Sequence, residues 1–167
     1  MVTPSSVVEK KNKETLLMYN QMMTEKVKED LIKHEGYVRE IYLCSEGFPT
    51  FGIGHLVVET DPEHTWPVGT PVEDERILNA FDSDFKDAYT DACAVFLNFS
   101  SLPDDVQRVC INMAFNLGRT RLSKFKNMIG AVNEGKWAKA ADEMIDSRWY
   151  KQVGHRSKEL VEIMRSV

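Results

Sequence analysis

The chain has 167 residues, 43% of them hydrophobic and 28% charged, with a formal net charge of −5, enough for one domain or one domain of two lobes. Charge interrupts the longer apolar stretches, which excludes membrane insertion through a spanning helix, and no basic patch dominates, which disfavours nucleic acid as a partner. The cysteines Cys44, Cys93 and Cys110 are scattered, with no CxxC pair, so neither a disulfide framework nor a structural zinc site is expected.

The N-terminal stretch Met1 to Thr24 is polar, carrying Glu9, Lys10, Lys11, Lys13 and Glu14. It lacks the apolar core of a cleavable signal peptide, so a chain acting outside the cytoplasm needs another route of delivery. Residues 1–12, beginning with Thr3, Pro4, Ser5 and Ser6, read as a flexible leader. From Glu14 to Glu35, Leu16, Tyr19, Met23, Val27 and Leu31 recur at helical spacing and predict one apolar stripe, which Gly36 would end as a C-cap. Over 37–58 the period changes. Val38, Ile41, Tyr42 and Leu43 lead to a turn at Ser45-Glu46-Gly47, and Phe48, Phe51, Ile53, Leu56 and Val57 follow. This predicts a hairpin and small sheet, with Pro49 at an edge or bulge. Residues 59–69 read as a loop.

Thr70-Pro71-Val72-Glu73 has the form of a capping box with proline at the first helical position. It predicts a long helix over roughly 70–97 with the stripe Ile77, Phe81, Phe85, Ala88, Ala92 and Phe96. Ser101-Leu102-Pro103-Asp104 starts another helix carrying Val106, Val109, Cys110, Met113 and Leu117, stopped by Gly118. Further helical runs fall near 123–133, 136–146 and 155–166. The predicted fold is α+β and mainly helical. A small N-terminal β lobe (about 37–69) and a larger C-terminal helical lobe (about 70–167) are joined by the long helix, and residues 1–23 form an extension ahead of a domain over 24–167.

Chemistry concentrates between His34 and His55. Glu35 sits in the last turn of a predicted helix, where the negative end of the dipole disfavours a carboxylate and favours its protonated form, the state a general acid must hold. Cys44 and Thr50 flank the tight turn, so a hairpin can bring both to the helix end. The glycines of Gly52-Ile53-Gly54 permit close backbone approach. Position alone leaves open that Glu35 is an exposed helix-end carboxylate, Cys44 a small buried hydrophobe and Thr50 an ordinary strand residue.

Glu35, eight residues, Cys44, five residues and Thr50 resemble the catalytic signature of the T-even phage lysozymes, glycoside hydrolase family 24, which carries Glu, then Asp or Cys, then Thr at this spacing. The flanking Glu35-Gly36, Ile41-Tyr42, Glu46-Gly47 and Thr50-Phe51-Gly52-Ile53-Gly54-His55-Leu56 are similar to the family. So are Asn112-Met113-Ala114-Phe115-Asn116-Leu117-Gly118, Phe125 with Asn127, Ser147-Arg148-Trp149-Tyr150 and Arg156. The likeness runs from about residue 24 to about 165, with a shortened loop near 59–70.

The resemblance implies an inverting muramidase acting on the β-1,4 bond between N-acetylmuramic acid and N-acetylglucosamine of bacterial peptidoglycan. It implies Glu35 as the acid, Cys44 and Thr50 as the pair that positions water, and Leu56, Phe115, Asn116, Phe125 and Asn127 as substrate-binding residues. Arg156 would lie close to Glu35, where a cation opposes the helix dipole, and His55 would pair with Asp84 in a structural role. His34 and Glu159 stand where relatives have an acid and a base, as though an ion pair had exchanged signs. Trp137, Trp149 and Tyr150 read as helical-lobe core; Cys93 and Cys110 fall on apolar helical faces. No metal or cofactor is implied. The expected protein is a monomer or part of a larger phage tail protein, made in the host cytoplasm and acting on the wall from the periplasmic side after release or virion delivery. The competing readings are a lytic transglycosylase and a non-catalytic wall-binding module. The acidic net charge lends weight to the latter, because bacterial walls are anionic and attract basic proteins.

Overall fold

The structure, a computed structural model, describes residues 4–167, without the side chains of Pro4, Leu16 and Tyr19. Leu16 and Tyr19 of the predicted stripe, and Thr3 of the leader, therefore lie outside what is described. The first helix, α1, spans Pro4–Glu35. The expected flexible leader is corrected: from Pro4 onward it is helical and continuous with the rest of α1. Nothing between Val7 and Glu35 is glycine or proline, and a helix already nucleated propagates cheaply one residue at a time. The two ends of α1 live in different surroundings. Met23, Val27 and Leu31 are buried, while Val7, Val8, Leu17, Met18 and Met22 are exposed. An Arg108–Asp30 ion pair at 3.0 Å ties the buried end to the helical lobe. Gly36 ends the helix at φ +83°, its N–H donating to the Ile32 carbonyl at 2.8 Å, the left-handed termination that glycine favours.

A three-stranded antiparallel sheet follows, in the order β1 (Val38–Leu43), β2 (Pro49–Gly52), β3 (His55–Leu56). Thr50 pairs with Tyr42 on one side and Leu56 on the other. Pro49 opens β2 opposite Leu43, where its missing N–H costs the ladder little. The loop beyond the sheet contains a short 3-10 turn at Pro62–Thr65.

The long helix, α2, spans Asp74–Val95, which corrects the predicted start at Thr70. The Thr70 hydroxyl donates to the Pro67 carbonyl at 2.6 Å, and no side chain caps α2. The segment before it is taken by the sheet instead: Gly69 N–H donates to Ile41 O, Ile41 N–H to Thr70 O and Val72 N–H to Arg39 O. Next comes α3, Asp104–Leu122, broken at Gly118 by φ +74° and ψ 168°. Val106, Val109, Cys110, Ile111, Asn112, Met113 and Ala114 are all buried, so α3 is enclosed on every side, as the central helix of a lobe must be. Around it lie α4 (Lys126–Asn133), α5 (Trp137–Ile145), α6 (Arg148–Val153) and α7 (His155–Arg165). The α6 helix was not expected as a separate element; Ser147 caps it by accepting from the Tyr150 N–H. Trp149 is buried, and Trp137 and Tyr150 pack against the core. Cys110 is buried, which pushes its thiol far up. Cys93 is exposed, a correction: the buried stripe of α2 runs through Ala88 and Ala92, and the next residue turns about 100° away from it.

Candidate active site

Glu35 is the last residue of α1, and three elements converge on its carboxylate. Oε1 accepts from the Arg156 guanidinium of α7 at 2.5 Å. Gly54, in the turn between β2 and β3, sits so close that a Cβ there would lie 2.8 Å from Oε2. Tyr42 of β1 feels the charges of both Glu35 and Cys44, which add to its burial in raising its hydroxyl pKa. Arg156 is itself buried, and its Nε donates to the Asn112 side-chain oxygen of α3 at 2.8 Å. The carboxylate thus lies between the two lobes, gripped from the helical one and covered from the sheet.

Cys44 ends the first arm of the hairpin. Its N–H donates to the Phe48 carbonyl at 3.0 Å, and its own carbonyl accepts from Gly47 at 2.8 Å. The backbone N–H groups of Phe48 and Glu46 lie on the thiol and hold its pKa below the ordinary thiol value, with the Thr50 hydroxyl acting in the same sense. Thr50 is buried and donates to the Phe48 carbonyl at 2.9 Å. The hairpin turn therefore builds a small site that stabilises a thiolate.

His55 is nearly buried between two carboxylates, Asp84 at 2.7 Å on Nδ1 and Asp61 at 2.8 Å on Nε2. Burial works against its charge, but the hydrogen bonds to Asp84 and Asp61 outweigh it and raise its pKa. Arg76 adds a second layer, donating to Asp61 and to the buried Glu63. This cluster binds the sheet and the 60s loop to α2.

The residues expected to bind substrate divide between two hollows. Leu56 and Phe115, with Gly54, line a groove of about 490 Å³ between the sheet, α2 and α3. Phe125 and Asn127 line a second hollow of about 550 Å³ on the helical lobe, beside Arg121, Lys124 and Trp149. Leu56 is half exposed at 49%. Phe115 stacks on Phe81 at 6.1 Å and Phe125 meets Trp149 edge-on at 6.1 Å, so each ring is partly core and partly wall. Asn116 lines neither hollow; its Oδ1 accepts from the Trp149 indole at 2.8 Å. Among the described residues no group of His, Cys, Asp or Glu is arranged to hold a metal ion, and no helix is long and apolar enough to cross a membrane.

A profile of the phage lysozyme family matches residues 32–165. The chain belongs to the phage lysozyme family. Membership places it among the lysozyme-like cell-wall hydrolases. It is 27% identical to the probable T4-type lysozyme 2 of Dictyostelium discoideum, over 82% of this chain and 92% of that protein. To the probable T4-type lysozyme 1 of the same organism it is 27% identical, over 86% of this chain and 96% of that one. It is also 28% identical to the pre-baseplate central spike protein Gp5 of Enterobacteria phage T4, over 87% of this chain but 28% of the spike protein. The family match begins inside α1, so its exposed N-terminal half lies ahead of the matched region.

Several residues of this candidate site carry no local sequence signal for their placement. Asn112 belongs to a block that resembles the family, yet nothing in its spacing reveals that it joins Arg156 to His34. Asp61 reaches His55 only because the 3-10 turn at Pro62–Thr65 folds the loop back. The glycine doublet does signal close approach, and Gly54 makes it against Glu35.

Proposed function

We propose that this chain is an N-acetylmuramidase that hydrolyses the β-1,4 bond between N-acetylmuramic acid and N-acetylglucosamine in peptidoglycan, with inversion. The observation that carries this reading is the placement of Glu35 at the junction of the lobes, held by Arg156 through Oε1 and apposed to Gly54 through Oε2. Because Arg156 occupies Oε1, the transferable proton belongs on Oε2, the oxygen beside Gly54, which itself lines the groove. Glu35 donates it to the glycosidic oxygen as the bond to the anomeric carbon breaks. Water, donating to the Thr50 hydroxyl oxygen, attacks that carbon from the opposite face and gives up a proton to the Cys44 thiolate, which the hairpin N–H groups support. Inverting enzymes commonly use a carboxylate for this second task, set roughly 6.5–9.5 Å from the acid to admit the water; here a thiol of lowered pKa takes its place.

Lysis of purified cell walls by wild type, Glu35→Gln and Cys44→Asp tests the assignment. Glu35→Gln is expected to be inactive and Cys44→Asp to retain activity, since a carboxylate accepts from the same N–H groups. An active Glu35→Gln protein overturns it. The matches to short T4-type lysozymes and to part of a spike protein fit either a free endolysin or a tail-associated domain, in which the exposed part of α1 serves as the connector. Delivery by a virion also makes the net charge of −5 less of an obstacle on an anionic wall.

A further inference from the structure

Behind Glu35 a chain of hydrogen bonds leads away from the cleft through three buried side chains. Arg156 donates from Nε to Asn112 Oδ1 at 2.8 Å; Asn112 Nδ2 lies 3.3 Å from His34 Nδ1; His34 Nε2 lies 2.8 Å from Glu159 Oε2. Asn112 is fully buried, and the side chains of His34 and Arg156 are 5% and 8% exposed.

Donor and acceptor chemistry fixes every orientation in this chain. Arginine only donates, so Asn112 must turn its oxygen to Arg156 and its NH₂ to His34. His34 Nδ1 must then accept, which puts the imidazole proton on Nε2, facing Glu159. Hydrogen bonds from Lys33 and His34 hold Glu159 down at about 2, so it stays an ionised acceptor throughout the working range. Adding a proton to His34 Nδ1 sets two N–H donors against each other. Turning the Asn112 amide relieves that clash but points NH₂ at Arg156 Nε, leaving Arg156, apart from Glu35 itself, only its longer contact to the Asn112 backbone carbonyl at 3.3 Å.

We propose that His34 is a positioning residue for the acid: through Asn112 it fixes Arg156 on Glu35, and its protonation loosens that hold and gives the enzyme an acid limb in its pH profile. The claim rests on the muramidase reading for its activity readout only. The other charged groups around His34 are Glu35, Lys33 and Asp30 on its own helix, Arg108 on α3, and His155 and Arg156 on α7, with Arg156 paired to Glu35. Protonation of the Cys44 thiolate supplies an acid limb of its own, so the His34 contribution is the part of the limb that differs between wild type and a variant with no titrating group at position 34.

A displacement on the order of 1 Å at a reacting group costs roughly 10²-fold in rate, so the limb should span about that range in kcat with little change in KM. His34→Leu, which can neither accept nor donate, should lower kcat at every pH. In His34→Gln a non-titrating amide can accept from Asn112 and donate to Glu159; this variant should restore kcat and lose the His34 inflection while keeping the one from Cys44. Superimposable profiles for wild type and His34→Gln, or no acid limb in wild type, would overturn the proposal. A second measurement needs no activity. Imidazole ¹⁵N spectra of the wild-type protein should show the neutral His34 ring carrying its proton on Nε2, with the Asn112 NH₂ and Arg156 Nε–H signals shifting as the imidazolium forms. A neutral ring protonated on Nδ1, or signals from Asn112 and Arg156 that ignore the protonation of His34, would refute it even if the protein proves to cleave nothing.

Discussion

Gly54→Ala is the substitution whose outcome follows most directly from the geometry around Glu35. Gly54 has φ +63°, and an added Cβ would stand 2.8 Å from Glu35 Oε2, 2.9 Å from its Cδ and 3.1 Å from its Cγ. Carbon contacts are comfortable at about 3.5–4.0 Å, so the carboxylate must retreat by roughly 0.5 Å or more. It cannot do so freely, because Arg156 grips Oε1 at 2.5 Å. Left-handed backbone with a Cβ costs about 1–2 kcal/mol on its own. Gly69 provides the control: its φ is +91°, and a Cβ there would meet nothing within 4 Å. Both alanine variants should lose about 1–2 kcal/mol in urea denaturation. Only Gly54→Ala should also lose activity, roughly 10–100-fold in kcat with KM nearly unchanged, since the acid is moved rather than removed. A Gly54→Ala enzyme as active as Gly69→Ala would show that the position of Glu35 beside Gly54 is not what the reaction uses.

Further expectations concern stability. Trp149→Phe removes the indole donor and leaves Asn116 Oδ1 without that partner; with Trp149 only 4% exposed, the loss should be about 1–3 kcal/mol, measured by thermal or urea unfolding. Glu159 has its pKa lowered from 4.5 to about 2. The folded state therefore binds that proton less tightly than the unfolded chain, and the stability is present above pH 4.5 and lost as pH falls toward about 2. Glu159→Gln should flatten that part of the acid-unfolding curve. For His55 the sign reverses: its pKa is raised from 6.5, so its contribution is complete below pH 6.5 and fades as pH rises through the folded value. His55→Gln should therefore cost more stability at pH about 5.5 than at pH about 8.5.

Much of the architecture was legible because local and long-range signals agreed. The stripe Ile77, Phe81, Ala88 and Ala92 is a buried helix face, Ser45-Glu46-Gly47 lies between the paired arms β1 and β2, and Gly36 and Gly118 both interrupt helices where the pattern placed a stop. Thr70-Pro71-Val72-Glu73 misled because two physical outcomes compete for it. The capping box is a local gain, but hydrogen bonds from Gly69 and Val72 to β1, and from Ile41 to Thr70, are tertiary and prevail. The continuous α1 was missed for the opposite reason. Residues 4–13 carry no helical apolar stripe in the sequence, so periodicity is silent there, and continuity with the docked turn extends the helix. At the candidate site, spacing and family resemblance single out Glu35, Cys44 and Thr50 as candidates, whereas the Arg156–Asn112–His34–Glu159 chain joins residues up to 125 positions apart. Only the packing of α1, α3 and α7 brings them together.

The most direct test of the central claim is the product itself. Purified peptidoglycan would be digested by the wild-type chain and by Glu35→Gln in water labelled with heavy oxygen, and the released fragments identified by mass spectrometry. Muropeptides with labelled N-acetylmuramic acid reducing ends, formed by wild type and not by the folded variant, are the predicted result. Anhydro-muropeptides without label would contradict hydrolysis and point to a transglycosylase. The absence of any fragment from folded wild-type protein would contradict catalysis altogether.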